Sequence, residues 1–274
     1  MGTKGWGTDL IYTNFKDAIR KANKDLLSMG LGVNTITWQG KSSDKFSTLE
    51  LLNYSFSCEI PHTVEELQEQ INPNLPWAEN HFLERVSGEP LNPGREYKNW
   101  PFYREDRGMR EFTSGAEPLF SHTYMERIWC PARPGIRYGW GNLDDVIELL
   151  RLDPHTRQAY LPIFFPEDAG AGLRVRRRTP CTIGYHFMLR GDKLHIFYTI
   201  RSCDALRHFI DDLYLTARLD MWVLDQLRYR DGASWANIIP GNLSVQIFSF
   251  HIFQDDIPIL EYKLSLDEKK ARKR

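Results

Sequence analysis

The stretch from residue 182 to residue 253 constrains the fold of this chain most strongly. Two runs rich in β-branched and aromatic residues, TIGYHFMLR and KLHIFYTI, are separated by Gly191 and Asp192, a pair typical of a tight hairpin. The next segment, DDLYLTARLDMWVLDQLRYR, is apolar around most of its circumference and predicts a long buried helix. SVQIFSFHIF then predicts a final core strand. Strands and a helix that must bury one another predict an α+β domain.

The rest of the chain adds helices and strands around this unit. Apolar spacing predicts a helix within residues 9–29, and STLELLNYSFSCEI alternates as a strand does. TVEELQEQI and NLDDVIELLRLDP read as capped helices, and AYLPIFF reads as a strand. Residues 72–137 are rich in Pro, Gly and Trp and predict mainly loops, with a helix over residues 79–86. No repeat or linker divides the chain, which predicts one domain over residues 1–274 with a solvated basic tail over 267–274.

Composition argues against several classes of function. The 35 basic and 36 acidic residues leave a formal charge of −1, so no overall field attracts nucleic acid or an anionic membrane. A phosphate site would therefore have to be local. No apolar run approaches the roughly 18 residues of a membrane span, and the opening MGTKGWGTDL lacks the apolar stretch of a signal peptide. We therefore expect a cytoplasmic protein.

The cysteines are candidates for chemistry, and they are Cys58, Cys130, Cys181 and Cys203. They lie far apart, without the close spacing of a zinc site or the density of a disulfide scaffold, so we expect free thiols and no metal. Cys181 follows the basic run RRR, and cationic neighbours favour the nucleophilic thiolate. The alternative is a core cysteine beside a basic surface strip.

Five short blocks stand in order between residues 138 and 253: RYGWGN, DPHTR, TPC, RSCD, and IIPG followed by SFHIF. Together they resemble the corresponding blocks of thymidylate synthases and of the related pyrimidine nucleotide hydroxymethylases. A single Pro-Cys or Arg-Ser pair would be a weak signal, but five blocks in order are a specific one. The resemblance covers the C-terminal half of the chain and is faint before Tyr138.

The resemblance implies a thymidylate synthase fold, in which helices flank a large twisted sheet and two copies pair through that sheet. It implies that Cys181 attacks C6 of a pyrimidine nucleotide, so that C5 accepts a one-carbon unit from the co-substrate 5,10-methylenetetrahydrofolate. Arg201 and Ser202 would bind the nucleotide phosphate. Arg157 would contact the same phosphate from the other subunit of the dimer. A guanidinium suits this role because it donates two parallel hydrogen bonds to a phosphate.

The resemblance also assigns proton-handling and ring-contacting groups. A carboxylate before the Tyr-Gly block would manage protons; Glu79 in WAENHF is the first candidate and Glu84 the alternative, and either could be a solvated helix charge. Four further residues would contact the reactants: Asp204 and Trp100 the folate, His251 the sugar, and Tyr138 the proton that leaves C5.

The position that reads the base carries an aspartate. Asp212 stands at the position of the Asn with which thymidylate synthases read uracil, although Asp211 is only one residue away. Alternatively, both aspartates could simply interact favourably with the helix dipole. A carboxylate accepts from the amino group of cytosine, and a protonated or water-bridged one also serves N3. Deoxycytidylate hydroxymethylases carry Asp here, so the resemblance implies CMP or dCMP as substrate and a hydroxymethyl product. Phe253 lacks the hydroxyl that the family's Tyr offers the sugar, which suggests ribose.

Two other functions stay open. One is a thymidylate synthase that methylates dUMP. The other is a non-catalytic nucleotide-binding or RNA-binding descendant of the fold, which the segment LRHFID permits because it departs from the family near the folate.

Overall fold

The structure is a computed structural model that describes residues 11–34, 37–38, 41–42, 47–102, 120, 122–129, 141–170 and 179–271. Within these residues the chain is a mixed α+β protein in which helices flank one large sheet, which confirms the predicted class. Among the same residues, no helix is both long enough and apolar enough to cross a membrane.

The strands within the described residues are β1 (Ile11–Tyr12), β2 (Leu31–Asn34), β3 (Thr37–Trp38), β4 (Lys41–Ser42), β5 (Ser47–Glu59), β6 (Tyr160–Pro162), β7 (Thr182–Arg190), β8 (Lys193–Ile200), β9 (Cys203–Asp204) and β10 (Ile239–Phe253). The main sheet runs in the order β1-β5-β10-β8-β7-β6, with β2 also paired to β5 and β9 to β10. Strand β10 is parallel to β8 and β9 and antiparallel to β5. The sheet is therefore mixed, and β10 lies at its centre.

The described helices are α1 (Phe15–Met29), α2 (Val64–Ile71), α3 (Trp77–Arg85), α4 (Tyr124–Ile128), α5 (Leu143–Leu152), α6 (Phe209–Arg230), α7 (Gly232–Trp235) and α8 (Ile257–Ala271). Helix α1 contacts β5, and α6 packs on β8 and β10. The predicted long helix is confirmed as α6, which is buried along most of its length. Its burial explains why its sequence is apolar on nearly every side.

Two glycines make the central strands possible. Gly191 has φ of +62° between β7 and β8, a conformation that side chains with a Cβ rarely adopt, and it closes the predicted hairpin. A Cβ on Gly241 would stand 2.5 Å from the carbonyl oxygen of Leu194. The Pro-Gly block therefore lets the start of β10 approach β8 closely.

Several element boundaries differ from those predicted. Strand β10 begins at Ile239, before the predicted SVQIFSFHIF, and β6 covers only part of AYLPIFF. The first helix begins at Phe15, because the Asn14 side chain caps it and the preceding residues pair with β5 instead. Helix α4 lies where loops were predicted.

Helix α8 extends to Ala271 and so includes the first part of the segment predicted as a solvated basic tail, in which Asp267 and Lys269 are exposed. Leu260 and Leu264 lie one turn apart on this helix and are buried. Their burial anchors the first turns of α8, and the charged residues that follow extend the same helix.

Asp220 is an unusual buried group in α6. It has 0% exposure, and neither carboxyl oxygen has a hydrogen-bond partner within the described part of the chain. Burial raises the pKa of Asp220 well above its ordinary value. The folded state therefore resists ionisation of this group. Its contribution to stability is greatest below the unfolded pKa of about 4 and is lost as the pH rises through the raised pKa.

We predict that Asp220→Asn raises the free energy of unfolding at about pH 8 by about 1–3 kcal/mol and changes it little at about pH 4. Urea denaturation at the two pH values measures the difference. Asp225→Asn is the matched control, since that side chain lies on the same helix and is 65% exposed. Equal effects of the two substitutions at high pH would contradict the prediction.

Candidate active site

Cys181 lies directly before β7, and its side chain is partly exposed. Arg201, at the end of β8, lies beside it: Nη2 of Arg201 is 3.9 Å from Sγ of Cys181. The same guanidinium donates from Nε to the carbonyl oxygen of Pro180 at 2.8 Å and from Nη2 to that of Thr179 at 3.0 Å. Arg201 therefore holds the backbone that presents the thiol, and a guanidinium at this distance stabilises a thiolate.

Arg201 and Ser202 retain donors for a ligand. Within the described part of the chain, Nη1 of Arg201 donates to no protein atom, and the Ser202 hydroxyl makes no hydrogen bond. Both side chains are only partly buried. The two residues predicted to bind phosphate are thus accessible beside Cys181.

A chain of hydroxyl groups begins one residue after the thiol. Thr182 Oγ1 lies 3.0 Å from the hydroxyl of Tyr124 and 3.1 Å from that of Tyr198. Burial raises the pKa of Tyr124, and negative charge on Cys181 and Asp212 adds to the effect. The hydroxyl of Tyr124 is therefore neutral and lies in the same enclosed region as both groups.

Tyr124 was missed from the sequence because the Tyr-Gly pair of RYGWGN directed attention to Tyr138, which lies outside the described residues. A signal for Tyr124 was present. Thr123 and Glu126 form a capping box at the start of α4, with both reciprocal hydrogen bonds made. That Thr-x-x-Glu spacing indicates a short helix that would place Tyr124 at its first position.

Asp212 and Asp211 have different surroundings. Asp211 accepts hydrogen bonds from the backbone and side-chain nitrogens of Asn74, at 3.0 and 2.7 Å, and so joins α6 to the segment before α3. Asp212 accepts from Sγ of Cys203 at 3.8 Å. Although Asp212 keeps some exposed surface, its carboxyl group is surrounded by protein. Burial raises its pKa to about 7, opposed by the charge of Arg85. Of the two aspartates, Asp212 is the one near Cys181 and Tyr124.

His251 and Asp204 come together through strand pairing. They are partners in the register of β9 and β10, and the backbone nitrogen of Ser249 donates to the carbonyl oxygen of Arg201 at 3.1 Å. The structure thus brings the RSCD and SFHIF blocks side by side. Asp204 itself is buried and accepts from the backbone nitrogens of Leu206 and Arg207 at 2.9 and 3.0 Å, which shapes the turn into α6.

Trp100 lies against the segment LRHFID. Its ring stacks on His208, with centroids 5.1 Å apart and planes 16° apart, and it also contacts Trp77. His208 follows the turn that Asp204 forms, since its backbone nitrogen donates to the Asp204 carbonyl oxygen at 3.1 Å. The two residues predicted to contact the folate therefore lie at the same end of α6.

Arg157 is exposed and lies apart from Cys181 of its own chain. Nε2 of His186, on β7, donates to the carbonyl oxygen of Arg157 at 3.1 Å. His186 is five residues beyond Cys181, which corresponds to roughly 16 Å along a strand. The structure therefore does not bring Arg157 to the thiol of its own chain, and its contact with the phosphate of a second copy stays a prediction.

Glu79 is occupied by other side chains. Arg218 donates to both of its carboxylate oxygens, at 3.1 and 2.8 Å, and the hydroxyl of Tyr214 donates to one of them at 2.5 Å. Burial acts to raise the pKa of Glu79, but these hydrogen bonds outweigh it and lower the pKa. Glu84 instead accepts from the backbone nitrogens of Arg95 and Glu96. Both carboxylates thus make structural contacts, and a role in proton transfer stays a prediction.

We predict that Glu79→Gln lowers the free energy of unfolding by about 1–3 kcal/mol, because it leaves the charge of Arg218 without its partner in a largely buried place. Urea denaturation measures the loss. Glu69→Gln is the control, since its ion pair with Lys16 is exposed and should contribute little. Unchanged stability of Glu79→Gln together with lost catalysis would instead assign the carboxylate to the chemistry.

Within the described residues, no group of three or more His, Cys, Asp or Glu side chains is arranged to hold a metal ion. Cys58, Cys181 and Cys203 are free thiols in the same part of the chain. Cys130 lies outside it.

No model of a known protein family matches this chain, and no curated protein matches it either.

Proposed function

We propose that this protein is a thymidylate synthase-like enzyme that hydroxymethylates C5 of a cytidine monophosphate, CMP or dCMP, with 5,10-methylenetetrahydrofolate as co-substrate. The observation that carries the proposal is the position of Arg201, 3.9 Å from the Cys181 thiol while it also holds the backbone of Pro180. A nucleophile and a cation for a phosphate are thereby joined in one rigid unit.

The first chemical step is assigned to Cys181. Its thiolate attacks C6 of the pyrimidine, and electron density moves to C5, which becomes nucleophilic. A proton must later leave C5, and departure of the thiolate from C6 restores the ring. The Tyr124 hydroxyl, hydrogen-bonded to Thr182 at 3.0 Å, is the described group best placed to pass this proton to water.

The phosphate would bind at Nη1 of Arg201 and the hydroxyl of Ser202, which the protein leaves available. Arg157 would complete the site from a second copy of the chain. Support comes from the sheet face that bears its neighbour His186. On that face Gln246 and Phe248 are exposed, and Phe248 keeps 41% of its surface accessible. Pairing through this face would give a homodimer in which each copy supplies Arg157 to the other.

The base would be read by Asp212. Its ionised carboxylate accepts a hydrogen bond from the exocyclic amino group of cytosine, whereas uracil offers an oxygen at that position and would be repelled. Asp212 is partly exposed, which suits contact with a ligand. Cytosine is therefore the base that we propose.

The residues at the folate end fit the co-substrate. The stacked rings of Trp100 and His208 offer a flat aromatic surface against which a fused ring can pack. Asp204 already accepts three hydrogen bonds, two from backbone nitrogens and one from the Arg207 side chain. A carboxylate has about four acceptor positions, so one remains for a ring N–H. When bound, the folate supplies the one-carbon unit that C5 accepts.

Water completes the proposed reaction. After the one-carbon unit is attached, addition of hydroxide from water gives the hydroxymethyl product, whereas hydride would give a methyl group. The relatives that read cytosine take the first route, and we propose the same here. We also keep the prediction that the protein acts in the cytoplasm.

A tritium-release assay tests this function. CMP, dCMP and dUMP, each tritiated at C5, are incubated separately with the protein and 5,10-methylenetetrahydrofolate. Tritium release is counted, and the mass of the product is measured by mass spectrometry. We expect tritium release from a cytidine nucleotide and a product heavier by one CH2O unit. Release from dUMP alone, with dihydrofolate formed, would select a thymidylate synthase. No release from any nucleotide would overturn the proposal.

A further inference from the structure

Arg85 is a buried arginine whose donors are largely unused. It lies at the end of α3 and is 8% exposed. Its Nε contacts Nε2 of His81 at 3.1 Å, and its guanidinium lies over the ring of Tyr124, with Cζ 4.2 Å from the ring centroid. Within the described part of the chain, neither terminal amino group donates to a protein atom. Neither is fully sealed from solvent.

This arrangement differs from that of two other buried arginines in the described part of the chain. Arg127 also lies over an aromatic ring, that of Phe165, but it donates twice to Asp168 at 2.9 Å. Arg218 lies over Phe82 and donates to Glu79. A guanidinium in a largely buried place needs protein, water or a ligand at its N–H groups. The terminal groups of Arg85 meet no protein acceptor within the described residues and still reach solvent, so they are available to a ligand.

The surroundings of Arg85 identify where that partner would lie. Its positive charge lowers the pKa of Asp212 and that of Tyr185 against the larger effect of burial. Tyr124, under its guanidinium, reaches Thr182, the residue after the nucleophile. Among the described residues, the ionisable groups coupled to Asp212 are Arg85 from α3, Asp211 from its own helix, Tyr124 from α4, Tyr185 from β7, Tyr198 from β8 and Cys203 from β9. Arg85 is the cation in this described set.

We propose that Arg85 is a second base-reading residue, which donates its two free N–H groups to N3 and O2 of cytosine while Asp212 accepts from the exocyclic amino group. The inference rests on the proposed function, which places the pyrimidine between Cys181 and Asp212. N3 and O2 of cytosine are adjacent acceptors, and a guanidinium presents two parallel donors at matching spacing. Together the two residues complement the whole hydrogen-bonding edge of cytosine.

The same pair of residues disfavours uracil. Uracil carries an N–H at position 3, which would face the donors of Arg85, and an oxygen at position 4, which would face the carboxylate of Asp212. A binding site discriminates strongly against a ligand that leaves the buried polar groups of the site without hydrogen-bond partners. Arg85 therefore contributes to selectivity as well as to affinity.

The test compares Arg85→Gln and Arg85→Lys with the wild-type protein. Equilibrium binding of CMP and UMP is measured by calorimetry, and tritium release from the same nucleotides is measured in parallel. We expect Arg85→Gln to lower the affinity for CMP and the CMP-to-UMP preference by about 100-fold, which corresponds to charged hydrogen bonds left unmade. Arg85→Lys keeps the charge but loses the two parallel donors of the guanidinium. Its CMP-to-UMP preference should therefore lie between that of the wild-type protein and that of Arg85→Gln.

Arg218→Gln is the matched control for the loss of a buried, ring-stacked arginine, and it should leave the CMP-to-UMP preference unchanged. An unchanged preference in Arg85→Gln, or an equal loss in Arg218→Gln, would overturn the inference. The two proposals fail differently. Selective CMP binding that depends on Arg85 without tritium release would sink the enzymatic proposal and keep the base reading. Absence of selective CMP binding in the wild-type protein would sink both.

Discussion

Cys181→Ser is expected to abolish tritium release from C5 of CMP and dCMP, with a loss on the order of 10⁴-fold or more. A serine hydroxyl is a far weaker nucleophile at neutral pH than a thiolate. The substitution changes one atom in a partly exposed side chain, so the fold and nucleotide affinity should be kept. Tritium release and calorimetric CMP binding are measured on the same preparation.

Cys58→Ala serves as the control, because Cys58 is also a free thiol but is buried in β5, where burial raises its pKa. It should keep nearly full tritium release. Retention of more than a few per cent of the activity by Cys181→Ser would contradict covalent catalysis at this residue. Retained CMP binding with no activity in either the wild-type or the Ser form would favour the non-catalytic binding protein.

Asp212→Asn is expected to reverse the base preference, with the ratio of kcat/KM for CMP to that for UMP falling by about 10²–10³-fold. The amide presents a donor where the amino group of cytosine needs an acceptor, and the same donor suits O4 of uracil. Competition between CMP and UMP in one reaction measures the ratio directly. Asp211→Asn is the control, since the Asp211 carboxylate contacts Asn74 rather than the cluster around Cys181.

The pH dependence gives a second measure of Asp212. With a pKa of about 7, its carboxylate is largely protonated at about pH 6 and largely ionised at about pH 8. The ionised form is the stronger acceptor for the cytosine amino group, so kcat/KM for CMP should rise across this range. Asp212→Asn should remove that rise. A profile that is unchanged in the variant would assign the titration to another group.

The periodic segments of the sequence were sufficient to predict the centre of the fold. The hairpin of β7 and β8, the long helix α6 and the final strand β10 follow from alternation, from the Gly191 turn and from an apolar surface that only burial can satisfy. The short elements did not follow. Strand β1 has two residues and α4 has five, and neither is long enough to show a period.

The residues of the candidate site also differ in whether their proximity could be predicted from the sequence. Cys181, Arg201 and Asp204 could be brought together from sequence because the two strands of a hairpin and the turn after it keep them close. Tyr124 and Arg85 could not, since each comes from a separate helix that meets β7 and α6 only through packing. The ion pair of Glu79 has the same origin, because its partner Arg218 lies 139 residues away along the chain.

Local pattern thus determined which residues form the strands and the long helix near the thiol. The basic run expected beside that thiol, residues 176–178, lies outside the described residues, and the guanidinium that the structure shows there is that of Arg201. Tertiary packing decided which of two adjacent aspartates contacts Cys203, and which tyrosine bonds to Thr182, the residue after the Cys181 thiol. It also left one buried arginine whose terminal amino groups donate to no atom within the described residues. The physical reason is that periodicity encodes only which side of an element is buried, whereas hydrogen bonds between distant elements depend on how those buried sides meet.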